Sequence, residues 1–188
     1  MTRFAFFEGE IRPIEDARVS VRTHAFNYGT GWFGGLRGYW NETKQQLFVF
    51  RPLDHYRRFL NSARLLMAEL PYSAEELTDI TLELLRRENW RGDCYIRPVG
   101  YKADELIGVR VHGLHDEVTI FSVPFGRYLQ AEEGAHVGFS SWRRVDDNMI
   151  PARGKIAGSY ANSALIKSEA ILNGFDEALV LTHDGHVA

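Results

Sequence analysis

Short, nearly continuous apolar runs alternate along this chain with segments whose apolar positions recur every three or four residues. Phe4 to Phe7 reads as a strand closed by a turn at Glu8-Gly9. Gly31 to Tyr39 and Gln46 to Phe50 read as paired strands around the polar turn Asn41-Glu-Thr-Lys44. Tyr56, Phe59, Leu60, Ala63, Leu66, Met67 and Leu70 make one face of a helix over about Asp54 to Glu69, with Pro71 marking its end. Ser73-Ala-Glu-Glu76 is a capping box that opens a second helix, whose buried face is Leu77, Ile80, Leu84 and Leu85. Cys94 to Tyr101 is a strand, Lys102 to Glu117 a long loop, and Val118 to Val123 another strand. Loops of that length in compact domains are often functional. Pro124 to Gln130 has the composition of a linker. His136 to Trp142 is a strand, and a helix follows from about Ile156 to Leu172 with an Asn173-Gly174 stop.

Ala178 to Leu181 reads as a buried strand, and Thr182-His-Asp-Gly185 supplies an Asp-Gly hairpin turn. The returning strand would begin at His186-Val187-Ala188, too short to complete a stable hairpin. The expectation is a fragment of a longer protein, cut inside a sheet. The shift at residues 124–130 divides the chain into two lobes, the second incomplete.

Composition narrows the class. With 188 residues, 45% hydrophobic and 13% aromatic, the chain can build a sizeable core. A net charge of −3 predicts no general attraction to nucleic acid or to an acidic membrane surface. Cys94 is the one cysteine, which rules out an internal disulfide and suits a reducing, cytoplasmic compartment. No stretch approaches the apolar length of a membrane helix. The histidines and Cys94 show no metal-ligand spacing, so no metal is expected.

The chemistry concentrates at Lys155, in Met149-Ile-Pro-Ala-Arg-Gly-Lys-Ile-Ala-Gly-Ser-Tyr160. A lysine at the mouth of an apolar helix, beside a buried strand, is held at fixed depth. Loss of hydration there favours the neutral amine, a nucleophile toward carbonyls. Tyr160 would reach the same cleft if the first turn is irregular; otherwise it is core. Arg57 and Arg58 can fork onto a phosphate, although arginines on a helix are more often solvated. Tyr95 and Arg97 share one face of their strand and suit a carboxylate, while Ile96 faces the core. The run His24 to Arg37 is rich in glycine and aromatics: glycines permit close backbone approach, and Tyr28 and Phe33 can wall an apolar pocket. It lacks the context of a nucleotide-binding loop.

In order, His24-Ala-Phe-Asn-Tyr-Gly-Thr, Phe33-Gly-Gly-Leu-Arg37, Phe50-Arg with Arg58, Tyr95-Ile-Arg-Pro98, Ser140-Ser-Trp142 and Ile150-Pro with Lys155-x-x-Gly-x-Tyr160 resemble the fold type IV pyridoxal phosphate enzymes. The resemblance is closest to the branched-chain amino acid aminotransferases. It covers essentially the whole chain and roughly the first three-fifths of the family's length. It implies an α+β, two-lobed fold: a small N-terminal α/β domain at 1–123, a linker at 124–130, and the start of the large cofactor-binding domain at 131–188. It implies pyridoxal 5'-phosphate as cofactor, held by Lys155 as an internal aldimine, with Arg58 on its phosphate and Tyr160 on its ring oxygen. Lys155 would also move the proton at the substrate Cα. Phe33, Gly35, Tyr95 and Arg97 would line the substrate pocket, and Phe125 and Tyr128 would close it between the lobes. Tyr28, with Ile107 and Val109 on the long loop, would look into the active site of a partner subunit. The implied assembly is a homodimer or a higher homo-oligomer. The implied partners are an amino donor and a 2-oxo acid acceptor.

Two departures stand out. The family has an acid after the Phe of its Phe-Glu-Gly-Ile-Arg run, and Gly34 here implies a more open or more mobile wall. The family's glutamate for the pyridine nitrogen would fall right after Ala188, so the chain alone is expected to be inactive. The main reading is transamination of branched-chain L-amino acids with 2-oxoglutarate, favoured by Tyr95-x-Arg97. The alternatives are a D-amino acid or (R)-amine transaminase, an aminodeoxychorismate lyase, or a non-catalytic binding module of the same fold.

Overall fold

The computed structural model describes residues 2–126 and 134–188. Its larger sheet has seven strands, all pairing antiparallel: β1 (Phe4–Phe7), β2 (Glu10–Pro13), β3 (Gly31–Phe33), β4 (Leu36–Asn41), β5 (Gln46–Val49), β6 (Cys94–Lys102) and β7 (Asp116–Pro124). The spatial order is β2-β1-β7-β6-β4-β5, with β3 also on β6. Helices α2 (Pro52–Leu65) and α3 (Ala74–Glu88) pack on it, closing a core of Trp32, Tyr56, Phe59, Leu77, Leu84, Ile96 and Ile120. α1 is one short helix (His24–Tyr28). A second sheet pairs β8 (Val137–Arg143) in parallel with β9 (Glu177–Leu181), and α4 (Tyr160–Leu172) is the crossover that a parallel pair requires. Among the described residues no helix is long and apolar enough to cross a membrane.

The capping box forms: Glu76 N donates to Ser73 Oγ at 3.1 Å and Ser73 N to the Glu76 carboxylate at 2.7 Å. The returning turn at the end also forms, with Thr182 N donating to His186 O and Val187 bridging to Leu181. The β2 strand was hidden by its polar sequence, and α1 by its brevity.

Several boundaries differ from the sequence reading: the long loop is shorter at both ends, the last helix begins at Tyr160 rather than Ile156, and two further differences have causes in distant residues. The strand expected over Gly31 to Tyr39 is broken at Gly34-Gly35, yet one register on β6 runs through both halves, from Gly31 opposite Tyr101 to Gly38 opposite Cys94. The break sits opposite Pro98, which has no N–H to give the ladder. Gly34 N still donates to Pro98 O at 2.9 Å, and the Tyr95 hydroxyl serves the Gly34 carbonyl instead, at 3.4 Å.

The helix expected to reach Glu69 stops at Leu65. Met67 turns left-handed at φ 50°, and a buried ion pair captures the backbone on either side. Lys102 Nζ donates to Met67 O at 3.1 Å, and Glu69 N donates to Asp116 Oδ2 at 3.0 Å. Lys102 and Asp116 meet at 2.9 Å with Lys102 fully buried. They also close the base of the long loop, which is trimmed to residues 103–115 because β6 and β7 run further than their apolar runs.

Candidate active site

The site is built where the Lys155 segment docks on the larger sheet. Lys155 N donates to Ser62 Oγ of α2 at 3.2 Å, and Phe33 N of β3 donates to Lys155 O at 3.0 Å. Ile156 then bridges Trp32. Gly158 N donates to Gly29 O at 3.0 Å, an approach in which a Cβ on Gly29 would stand 2.9 Å from Gly158 Cα. After this extended stretch, Ala157–Ser159 make a 3-10 turn before α4 begins. That irregular entry brings Tyr160 back over Lys155, whose Nζ donates to the Tyr160 hydroxyl at 2.5 Å.

Around this pair lies a cleft of about 170 Å³ lined by Arg58, Arg144, Arg153, Lys155 and Tyr160. Arg153 is paired with Asp147. Among the described residues neither Arg58 nor Arg144 has a carboxylate partner: Arg58 Nη2 meets His55 Nδ1 at 3.4 Å, and Arg144 Nη1 donates to Ser163 Oγ at 3.2 Å. Burial, and then the Arg58 guanidinium, hold His55 below its ordinary range, so it stands neutral and Arg58 keeps its charge free. Uncompensated guanidiniums beside a lysine and a phenol make a receptor for an anion that also carries a carbonyl.

The Lys155 amine also lies 4.9 Å above the Phe33 ring, whose centroid is 4.6 Å from that of Tyr160. Arg97 covers Phe33 at 4.5 Å, and its Nε donates to the Tyr95 hydroxyl at 3.1 Å. Phe125 packs on Tyr95 at 5.4 Å between centroids. The structure therefore gathers Lys155, Tyr160, Phe33, Tyr95, Arg97 and Phe125 into one continuous array, with Arg58 across the cleft. Tyr128 lies outside the described residues. Tyr28, Ile107 and Val109 do not line the cleft; Ile107 and Val109 stand 80% and 78% exposed on the long loop.

The notion of a wall opened by Gly34 is corrected. A Cβ there would stand 2.7 Å from Pro98 Cγ, so Gly34 is packed tightly against its neighbour and leaves no opening. Gly35 is tighter still, with a virtual Cβ 2.3 Å from the Tyr95 hydroxyl oxygen. The sequence reading gave Arg37 no role. Its Nη2 donates to Gly126 O at 2.5 Å, and its guanidinium covers Phe125 at 5.4 Å, so it anchors the segment that positions Phe125. Its place at the end of the Phe33-to-Arg37 run was the available signal. Ser140 and Ser141, from another quoted motif, both hydrogen-bond Glu169 and tie β8 to α4; those bonds hold the Glu169 carboxyl below the usual range.

The family model for class IV amino-transferases matches residues 33–188, which include the array, the cleft, β4 to β7 of the larger sheet and the whole second sheet. The chain belongs to the class IV aminotransferases. Within this family it is 49% identical over 185 residues to a probable branched-chain-amino-acid aminotransferase of Aquifex aeolicus (strain VF5), covering 98% of this chain and 60% of that protein. It is 36% identical to the branched-chain-amino-acid aminotransferase of Pseudomonas aeruginosa, covering 97% of this chain and 60% of the other. The fold matches the branched-chain aminotransferase of Thermoproteus uzoniensis with norvaline, with a TM-score of 0.95, 39% identity, and coverage of 100% of this chain and 62% of that one. It also matches the branched-chain amino acid aminotransferase of Thermobaculum terrenum in its PLP-form (holo-form), with a TM-score of 0.91, 33% identity, and coverage of 99% and 61%. The chain thus spans about 60% of the length of the curated relatives it matches. This chain, with helices and sheets that match those structures, has the α+β fold that the family resemblance implies.

Proposed function

We propose that the protein carrying this chain transfers the amino group of branched-chain L-amino acids to 2-oxoglutarate, with pyridoxal 5'-phosphate bound at Lys155. The observation that carries this reading is the Lys155–Tyr160 hydrogen bond of 2.5 Å inside a cleft lined by Arg58 and Arg144, neither of which meets a carboxylate among the described residues. These residues fit the cofactor by their chemistry: an amine for its aldehyde, a phenol for its ring oxygen, and a guanidinium for its phosphate. When bound, it supplies an electron sink for the bonds at the substrate Cα.

Lys155 holds the cofactor and then takes the proton from the substrate Cα; its long, flexible stem lets one amine do both. Tyr160, hydrogen-bonded to Lys155 Nζ, orients the amine. Arg58 anchors the anionic end, its charge undiminished by neutral His55. Arg97, its Nε held by the Tyr95 hydroxyl, offers its remaining guanidinium donors to a substrate carboxylate, while Phe33 and Phe125 present apolar faces to an aliphatic side chain and exclude water. Gly35 leaves room for Tyr95 to hold Arg97 in this way. Tyr28, Ile107 and Val109 complete the pocket of a partner subunit, which makes the working unit a homodimer or a higher homo-oligomer. Tyr128, in the linker, closes the pocket with Phe125. The division into a small lobe (1–123), a linker (124–130) and the start of a large lobe (131–188) belongs to the same reading.

Borohydride reduction followed by peptide mapping tests the cofactor: a phosphopyridoxyl mass on Lys155 is expected, and the same mass on another lysine would sink the assignment. A donor panel of L-leucine, D-alanine and (R)-1-phenylethylamine tests the substrate. Turnover of L-leucine is expected; turnover of D-alanine alone would move the protein to another branch of the fold. Gly35→Ala should lower kcat/KM for L-leucine about 10- to 100-fold, the size of effect produced by misplacing a positioning group. The added methyl would overlap the Tyr95 hydroxyl at 2.3 Å and displace it. Unchanged kinetics in this variant would remove Tyr95 from the pocket.

A further inference from the structure

His24 is wholly buried, and both of its ring nitrogens are engaged. Nδ1 lies 2.7 Å from Thr30 Oγ1, and Nε2 lies 2.7 Å from the carbonyl oxygen of Gly108, 84 residues away. A carbonyl can only accept, so in the neutral ring Nε2 carries the proton and Nδ1 accepts from the Thr30 hydroxyl. The same glycine is held on its other side: Gly108 N donates to the Tyr28 hydroxyl at 3.0 Å, and the His24 and Tyr28 rings pack with centroids 4.8 Å apart. His24 N also donates to Asp104 O at 2.8 Å. Loop 103–115 is therefore clamped at its tip through both peptide groups of Gly108, flanked by the exposed Ile107 and Val109. The clamp continues to the reactive segment, because α1 ends at Gly29, whose carbonyl accepts from Gly158 N.

We infer that His24, oriented by Thr30, is a positioning residue that fixes the loop tip at Gly108 and so sets where Ile107 and Val109 stand. It touches neither the cleft nor Lys155 Nζ and acts through the loop. The kinetic consequence rests on the reading that Ile107 and Val109 complete a partner subunit's pocket; the clamp itself does not.

Two amide replacements separate the two ring bonds. A Gln nitrogen stands as many bonds from Cβ as imidazole Nε2 and can still donate to Gly108 O, whereas an Asn nitrogen reaches only the Nδ1 position. Hydrogen exchange of the loop, followed by mass spectrometry on the protein carrying this chain, reads the clamp without any turnover. Exchange across loop 103–115 should be roughly tenfold faster in His24→Asn and within about threefold of the parent in His24→Gln, as loss or retention of the one hydrogen bond to the Gly108 carbonyl that holds the loop tip predicts. The KM for L-leucine should rise in His24→Asn by roughly the same tenfold while kcat holds, since the affected group binds substrate and performs no chemistry. Parent-like exchange in His24→Asn, or equal acceleration in both variants, overturns the inference. If His24→Asn does not fold, Thr30→Val takes its place: faster loop exchange supports the clamp, and unchanged exchange refutes it. Altered exchange with no phosphopyridoxyl label on Lys155 would leave the clamp standing and defeat the proposed reaction instead.

Discussion

Lys155→Ala is expected to lower amino transfer from L-leucine by at least about a thousandfold, roughly 4 kcal/mol of transition-state stabilisation. The amine is the one group in the array that can both bind an aldehyde and move a proton at Cα. Tyr160 is its hydrogen-bond partner, and the arginines beside it stay charged and cannot act as bases. Lys155→Arg should fail as badly, because a guanidinium neither condenses with an aldehyde nor accepts a proton. Arg58 survives in both variants, so the cofactor should still bind, but without a covalent link. The tests are steady-state turnover and the spectrum of the bound cofactor. Activity within tenfold of the parent in either variant would show that the chemistry belongs elsewhere.

The second large effect concerns stability. Asp116→Ala leaves the Lys102 ammonium with no countercharge at a site where its side chain is fully buried, and breaking a buried pair in this way costs roughly 3–5 kcal/mol. For a chain of this size the melting temperature should fall by about 10 °C. Part of the loss comes from the Glu69 amide, which gives up its acceptor on Asp116 Oδ2. Replacing both partners, as Lys102→Met with Asp116→Asn, should recover more than half of the loss, since the Asn oxygen can still serve Glu69 and no charge stays buried. Thermal unfolding of the single and double variants decides the point. A double variant less stable than Asp116→Ala would mean that the pair is favourable in itself.

Local patterns carried much of the fold. The Ser73-Glu76 capping box, the apolar runs at Cys94 and Val118, and the Asp184-Gly185 turn all form where their residue types place them. The errors lie where a distant residue overrode a local preference. Nothing between Asp54 and Glu69 says that Lys102 and Asp116 will seize the backbone around Met67 and end the helix early. Nothing in Gly31 to Tyr39 announces that Pro98, on another strand, withholds the N–H that would have kept that strand whole. The same holds at the site. Lys155 and the Tyr95–Arg97 pair stood out by residue type and spacing, whereas Tyr160 and Arg58 were singled out only by the family resemblance, since a phenol on a helix stripe is more often core and a helix arginine more often solvated. The packing of Gly34 on Pro98 and the hold of Arg37 on Gly126 were not legible, because each needs the register of two strands or the path of a connecting segment.

Both peptide groups of Lys155 are spoken for, its N–H by Ser62 and its carbonyl by Phe33. The Cα is therefore a fixed pivot, and the amine can travel only on the arc swept by its own side-chain torsions. In the proposed reaction, where this amine leaves one atom and reaches another within a single turnover, its rearrangement would cost at most about 2 kcal/mol of rotamer entropy. The main chain beneath it need not move at all.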